Sequence, residues 1–494
     1  MTTDLKIKLG QRLAVGFEGC EIPPEYVELV RTRKIGNAIL FRRNCRDFEQ
    51  LRALCADLRA LIRGETGLEP FIMIDEECGS VSRLAPIAGE TPCAMAIGAT
   101  DDPENALRIG RVMGERLRAV GVNFNLAPVL DCFTNPDNTA SGNRCFAREP
   151  EKVAAFGVKY IEGMQAAGVL ACGKHFPGHG DTAVDSHLAL PVVDKPLDEV
   201  RRTELVSFAA AIAGGVDAIM SAHVVFPAIE PQRVPSTVSR RVMTGLLREE
   251  MGFEGIIVSD SMEMQVVMDL FGIEEGTRRA LAAGVDVALV CHSPAQAAST
   301  SDYLCAAAAD GRLDAAQIDA HYARIAARKA RLLPPTGDES RFRGPAQDAA
   351  AREIMAKSVR LLEAPEGRPL PKPDARTLFL GARAKAASLA NDMIELDAAA
   401  VCAGAFGGVY GGPAPDEALL AQAKTAVIFM GKDEDRAAQI DAANRLVAAG
   451  AQVIAVSLYT PRCLDDMPAG VWKVCAWQYE RLALDALIGF LKRS

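Results

Sequence analysis

The chain has 494 residues with a formal charge of −9, and 49% of its side chains are hydrophobic against 24% charged; that is the balance of an ordinary folded protein too long for one average domain. An acidic balance without any Lys/Arg-rich run excludes a basic nucleic-acid groove and a membrane-surface patch. No secretory-leader pattern opens the sequence, the Gly- and Pro-studded stretch 398–415 is a poor membrane span, and thirteen cysteines lack paired spacing, which together predict a cytoplasmic protein with reduced cysteines.

Short apolar runs recur in chain order: LAVGF (13–17), AILF (38–41), FIMID (71–75), NFNLAP (123–128), LACGKH (170–175), AIMSAH (218–223), GIIVSD (255–260) and VALVC (287–291). Each is followed by helix-like sequence, and parallel strands buried on both faces read as such continuous runs. Several end on a polar or ionisable residue: Asp75, His175, His223 and Asp260. Eight strand–helix units with reactive strand ends predict an α/β fold, a (β/α)8 TIM-type barrel whose active site sits at the C-terminal face of the strands. A doubly wound open sheet gives a similar string, but the count of eight and the polar strand ends favour the barrel.

Amphipathic helices are predicted over 47–62, 102–120 and 274–283, with Asp102-Pro103 as cap and first turn of the second. After a helix over 315–333, LLPPTGDESRFRGPAQ and then LEAPEGRPLPKPDAR are rich in turn formers and mark a boundary. From about Thr377 the alternation restarts with TLFLGA, TAVIFM, QVIAVSLY and VWKVCA and a helix over 435–449, the pattern of a smaller α/β sandwich. The expected organisation is a barrel over 1–335, a connecting helix and linker over 336–372, and a sandwich domain over 373–494. GGVYGG (407–412) lacks dinucleotide-binding spacing and reads as a surface loop.

The segment GKHFPGHGDTAVDSH (173–187) concentrates three of the six histidines with two aspartates and a lysine. A metal site is one reading. His175 and His179 are separated by Phe-Pro-Gly, so helical ligand spacing is excluded, and no cysteine pair or second histidine cluster lies nearby. No metal and no cofactor are expected. Acid–base chemistry asks for less: across Asp185-Ser186-His187 the carboxylate can accept a hydrogen bond from one imidazole nitrogen and raise the proton affinity of the other. The plainer alternative is a capping Asp beside a solvated His. Asp260, directly after a strand, can bind a hydroxyl, cap the next helix or attack carbon; an acid/base plus a carboxylate nucleophile is what cleavage of a glycosidic bond with retention requires.

GKHFPGHGDTAVDSH, together with the strand-end Ser-Asp, resembles glycoside hydrolase family 3 and, within it, the bacterial β-N-acetylglucosaminidases. KLGQRLAVGFEG, ILFRRN, NFNLAPVLDCFTNPDN, SGNRCFAREPEKVAAFG and SAHVVFPAI extend the likeness over 5–330, and VIAVSLYTPRCL is more faintly similar to the sandwich that some members carry. The resemblance implies Asp260 as the nucleophile that forms a covalent glycosyl–enzyme, His187 as acid/base and Asp185 as its orienting partner. It implies that Lys174 and His175 contact ring hydroxyls, that Asp75 grips the far side of the sugar, and that Arg83 and Arg144 are binding arginines.

Plain readings stand beside these. Lys174 can be an ordinary salt-bridged residue, His175 a satisfied core histidine and Arg144 a loop ion pair. Adjacent strand residues point opposite ways, so at most one of Asp75-Glu76-Glu77 faces the pocket productively. His179 shapes the loop, His223 is a supporting polar contact, and His292 and His321 carry no signal. The family usually has Gly-Gly-Arg where this chain has Cys78-Gly79-Ser80; a side chain in place of glycine bears on the path of the loop, and the missing arginine removes a contact near the pocket. The resulting expectation is a retaining exo-β-N-acetylglucosaminidase whose partner is a small GlcNAc-containing oligosaccharide or muropeptide, with neither nucleic acid nor membrane involved. Two alternatives stay open: a β-N-acetylglucosaminide phosphorylase, since a neutral imidazole does not repel phosphate, and a non-catalytic sugar-binding barrel.

Overall fold

Every one of the eight apolar runs forms a strand: β1 (Leu13–Val15), β2 (Asn37–Leu40), β3 (Phe71–Ile74), β4 (Phe124–Asn125), β5 (Leu170–Phe176), β6 (Ala218–Ser221), β7 (Ile256–Ser261) and β8 (Val287–Val290). They pair in parallel in sequence order, and β8 closes on β1. The computed structural model describes residues 2–138, 140–182, 190–381, 384–387, 393–413, 416–431 and 436–493.

Strand side chains alternate with period two, and here the alternation separates two cores. Ala14, Ile39, Phe71, Met73, Phe124, Cys172, Met220, Val258 and Leu289 fill the barrel interior. Their neighbours Leu13, Val15, Ala38, Leu40, Ile72, Ile74, Ile219, Ile257 and Val290 pack outward with the helices. Both faces are therefore buried, which is why the runs are uninterrupted in sequence.

The helices agree in place and differ in extent. The one expected over 47–62 is Phe48–Thr66, opened by Asp47, whose side chain accepts from the Gln50 amide at 2.9 Å. The next is Glu104–Val120, and Asp102 accepts from the Glu104 amide at 3.1 Å. The stretch 274–283 is the second half of a longer helix, Gln265–Ala283, which bends at Gly272. The helix expected to reach 333 stops at Lys329. Beneath the barrel, at the N-terminal ends of the strands, Asp286 is held by Arg248, by Arg324 at 2.7 Å and by His321 at 2.5 Å. That cluster ties the floor together at the face where a barrel keeps stability rather than chemistry.

A second sheet follows, joined by the helix Pro345–Ser358. Its strands are β9 (Arg360–Glu363), β10 (Leu378–Gly381), β13 (Val409–Gly412), β14 (Thr425–Met430), β15 (Gln452–Ser457) and β16 (Trp472–Cys475), in the spatial order β13-β10-β14-β15-β16-β9. Two further strands, β11 (Ala384–Ala387) and β12 (Met393–Leu396), pair antiparallel as a separate ribbon. The four strands foreseen from sequence are β10, β14, β15 and β16. Val409–Gly412, read above as a loop, is instead an edge strand parallel to β10. Gly411 lies so close to Leu380 that a Cβ there would meet its methyl group at 2.4 Å, so glycine replaces the alternation that would have announced a strand. β9 falls inside the stretch expected to be linker and runs antiparallel to β16 at the other edge, with Leu361 and Leu362 exposed.

The sheet has helices on both faces. Leu378, Ile428, Met430 and Val453 pack with Ala442 and Leu446 of the helix Arg436–Ala448. On the opposite face Phe379, Phe429, Ile454, Val456 and Val474 form one core with Ala399 and Leu487 and also with Met95, Val129, Phe133 and Cys145 of the barrel. The two parts thus share an apolar seam, crossed by hydrogen bonds from the Cys93 amide to Gln478 at 2.5 Å and from Gln478 to the Thr91 carbonyl at 3.2 Å.

Glu480 sits wholly enclosed in this seam; burial pushes its carboxyl up to about 7, and Glu90 across the seam adds to the effect. A carboxyl whose folded pKa is raised keeps its proton where the unfolded chain has lost it. Folding is therefore favoured at the acid end of the window between the ordinary value, 4.5, and about 7, and weakens as pH rises through it. Glu480→Gln is expected to flatten that slope and to gain roughly 3 kcal/mol over the native chain at pH 8, with little difference at pH 4.5. Thermal unfolding of both proteins across pH measures it; parallel profiles contradict the buried, proton-holding Glu480.

Candidate active site

The inward rows of side chains run out of the barrel at its C-terminal mouth. On β3 the row Phe71, Met73 continues to Asp75; on β5 Cys172 is followed by Lys174; on β7 Ile256, Val258 lead to Asp260; on β2 Ile39 leads to Phe41. The same register that fills the core with apolar groups therefore delivers two carboxylates and an ammonium to one cavity of about 710 Å3. Asp75, Arg83, Arg144, Lys174, His175 and Asp260 all line it. Asp185 and His187 lie outside the described residues.

The floor is an alternating charge network. Lys174 Nζ is 2.7 Å from Asp75 Oδ1 and 2.5 Å from Glu77 Oε1. Arg144 donates through Nε and Nη2 to the two oxygens of Glu77, each at 2.7 Å, and through Nη1 to the Ala140 carbonyl at 2.9 Å. Arg83 Nη2 stands 3.7 Å from Asp75 Oδ2. Burial opposes the charge on Lys174, but Asp75 and Glu77 overcome it and raise its proton affinity above the ordinary lysine value. Burial likewise opposes a charged Glu77, and Arg144 and Lys174 reverse that, holding the carboxyl well below its usual range. Lys174, Arg144 and Glu77 are thus ionised at neutral pH.

The expectation that at most one of Asp75-Glu76-Glu77 faces the pocket needs correction. Asp75 and Glu77 both do, because residues two apart share a side. Glu76 turns away, taking hydrogen bonds from the Ser82 hydroxyl and from the amides of Arg83 at 2.6 Å and Leu84 at 3.0 Å. Arg144 forms the ion pair of the plainer reading and also stands in the cavity wall.

His175 is fixed by Asp131, which no sequence argument singled out. Asp131 Oδ2 is 2.7 Å from His175 Nδ1, and Oδ1 accepts from the amides of His175 at 3.1 Å and His179 at 2.8 Å. The Nε2 edge of His175 is left facing Arg144, 3.5 Å away. The available signal was position: Asp131 ends the apolar stretch after β4, as Asp75 and Asp260 end theirs. His179 bonds the Thr182 hydroxyl through Nδ1 at 2.9 Å and holds the loop. His223 lies between the Ser261 carbonyl and the Thr237 hydroxyl, each at 2.9 Å, next to the residue after Asp260. His292, which carried no signal, packs against Phe41 with ring centroids 5.1 Å apart and lines the cavity. Asp260 accepts from the Ser261 amide at 2.7 Å, and the helix beyond starts only at Gln265, too late for Asp260 to cap it.

Residues 4–327 match the glycosyl hydrolase family 3 N-terminal domain. The chain belongs to that family. It is 35% identical over 333 residues to beta-hexosaminidase A of Pseudoalteromonas piscicida, which covers 63% of this chain and 56% of the relative, so the chain spans little more than half of that protein's length. A beta-hexosaminidase of Pseudomonas aeruginosa is 38% identical over 286 residues, covering 58% of this chain and 83% of the relative. The solved structure of a glycoside hydrolase family 3 beta-N-acetylglucosaminidase from Paenibacillus sp. str. FPU-7 has a TM-score of 0.89 at 33% identity, over 100% of this chain and 97% of that one.

The departure from the family at Cys78-Gly79-Ser80 has a visible consequence. Cys78 adopts φ +90, a conformation that glycine takes freely and a side chain takes under strain. The turn still closes, with the Glu77 amide donating to the Val81 carbonyl at 2.9 Å, so Glu77 stays in place on the floor of the cavity.

Glu77 serves two cations, buried Lys174 and half-buried Arg144, so Glu77→Gln leaves both short of a counter-charge. The expected loss of folding stability is about 3–5 kcal/mol near neutral pH, measured by urea unfolding. Because Glu77 is depressed in the folded state, its contribution is present above the unfolded carboxyl value and fades as pH falls through the folded one. The native and Gln proteins should therefore converge in strong acid; a gap that persists there contradicts the assignment.

Proposed function

We propose that this glycoside hydrolase is a retaining, exo-acting β-N-acetylglucosaminidase. The observation that carries the reading is that Asp260, a strand-end carboxylate too early to cap a helix, shares one cavity with a rigid set of hydroxyl-binding groups: Asp75, Lys174, His175, Arg83 and Arg144. Arg83 adds weight, since among the described residues its buried Nε and Nη1 find no hydrogen-bond partner, and buried donors of that kind call for an acceptor. Vicinal sugar hydroxyls supply one. The names of the beta-hexosaminidase and beta-N-acetylglucosaminidase relatives support GlcNAc as the sugar.

In the proposed reaction a carboxylate oxygen of Asp260 bonds to the anomeric carbon as the glycosidic C–O bond breaks. Its electron pair leaves with the aglycone oxygen, which takes a proton from the imidazolium of His187, oriented by Asp185. Neutral His187 then removes a proton from water, the water oxygen bonds to the same carbon, and the ester pair returns to Asp260. Asp75 and Lys174 hold ring hydroxyls throughout, and their strand-end placement limits the error in position. All thirteen cysteines are free, which supports a reducing, cytoplasmic setting. Cell-wall fragments such as GlcNAc–anhydro-MurNAc and muropeptides are the substrates proposed there.

A slow fluorinated GlcNAc donor is expected to leave a covalent adduct on the Asp260 peptide by mass spectrometry, and none on Asp260→Asn. His187→Ala should lower turnover of aryl GlcNAc glycosides with poor leaving groups by about 10²–10⁴-fold. Product analysis in phosphate buffer should give free GlcNAc of β configuration. GlcNAc 1-phosphate in its place would move the acceptor from water to phosphate, and an absence of adduct and product alike would refute the enzyme.

A further inference from the structure

Asp75, Lys174 and Asp260 stand at or just beyond the ends of barrel strands, but Arg144 stands on a loop, at the end of the short turn Gly142–Arg144. A loop arginine needs outside support to hold a binding geometry. The support comes from the second domain. Gly142 has φ +45, and a Cβ built there would lie 1.6 Å from the Tyr459 hydroxyl, so that tyrosine packs directly on the bare Cα. Tyr459 is half-buried and packs against the apolar core of the seam. Asn143, the residue after Gly142, donates through Nδ2 to the Trp477 carbonyl at 2.8 Å.

Trp477 is in turn held in place. Its backbone has φ +68, its indole Nε1 donates to the Ser358 carbonyl at 2.8 Å, and the adjoining Gln478 is bonded to Thr91 and Cys93 of the barrel. At the rim Arg462 pairs with Asp137, at 2.5 Å, on the same barrel loop. On its other side the turn is anchored through the bidentate bond of Arg144 to Glu77. Three residues are thus clamped between a buried carboxylate of the barrel and two groups of the sandwich.

We propose that the second domain sets the position of Arg144 in the sugar pocket, with Tyr459 and the Trp477 carbonyl as positioning groups acting through Gly142 and Asn143. The inference rests on the reading that Arg144 binds the substrate sugar. It assigns the sandwich a part in the barrel's own site: without the Tyr459 hydroxyl against the Gly142 Cα the turn relaxes into the vacated space, and Arg144 meets Glu77 and the sugar at a different angle.

Tyr459→Phe keeps the ring and deletes the hydroxyl. With a chromogenic β-GlcNAc glycoside it is expected to raise KM about 5-fold through misplacement of Arg144, while kcat stays within about 2-fold and the unfolding temperature within a few degrees. Arg144→Lys should raise KM more, and adding Tyr459→Phe to it should cost nothing further, because the tyrosine acts through the arginine. A KM unchanged in Tyr459→Phe, or effects that simply multiply in the double variant, overturns the proposal. The Nε–H NMR signal of Arg144, assigned by its loss in Arg144→Lys, should shift in Tyr459→Phe, and an unmoved signal also overturns it. If the native chain fails to cleave the glycoside, the functional reading falls, and the NMR measurement still decides whether Tyr459 governs Arg144.

Discussion

Lys174, buried, and Arg144, half-buried, share Glu77, and Lys174 also holds Asp75. An ammonium and a carboxylate taken out of water, here Lys174 and Glu77, carry a large desolvation cost, offset only when each charge has its partners at hydrogen-bond distance. The network therefore tolerates little displacement. It ties β3 to β5 across β4 and ties both to the Gly142–Arg144 turn, so the shape of the cavity floor follows from charge pairing as much as from packing.

The barrel register makes this network possible. One residue in two points inward, and the inward row changes from Met73, Cys172 and Val258 to Asp75, Lys174 and Asp260 within a single step of the period. Apolar burial thus fixes the direction of the polar groups at no separate cost. The opposite end of the barrel shows that residue type alone does not make a site. Asp286 and His321 form a pair chemically like Asp131 and His175, but Asp286 precedes β8 and Asp131 follows β4. The first lies under the floor among structural arginines; the second lines up the wall of the cavity.

How much was legible differs element by element. The eight barrel strands stood out because burial on both faces leaves unbroken apolar runs. Asp75 and Asp260 are legible as candidate site residues because each ends such a run, whereas Lys174 is implied by the family resemblance. Glu77 is not legible from the opposition of adjacent residues, since it is its two-residue separation from Asp75 that puts both on one side. Asp131 was passed over because its partner is the backbone and ring of a segment more than forty positions away. Strands β9 and β13 resemble linker and loop in sequence since edge strands expose one side, and glycines in β13 replace the side chains that would show alternation. Helix ends moved by up to a turn or more, because packing against the barrel, rather than local propensity, decides where a helix stops.

By itself the sequence determined the strand count, the polar strand ends and the family likeness, all consequences of short-range pattern: what a residue is and what lies within a few positions of it. Only the tertiary structure decided that Lys174 bridges Asp75 and Glu77, that Asp131 holds His175, and that Tyr459 lies against Gly142. Those pairings depend on which strands lie side by side and on how two domains meet, and a buried hydrogen bond leaves no mark on the residues between its ends.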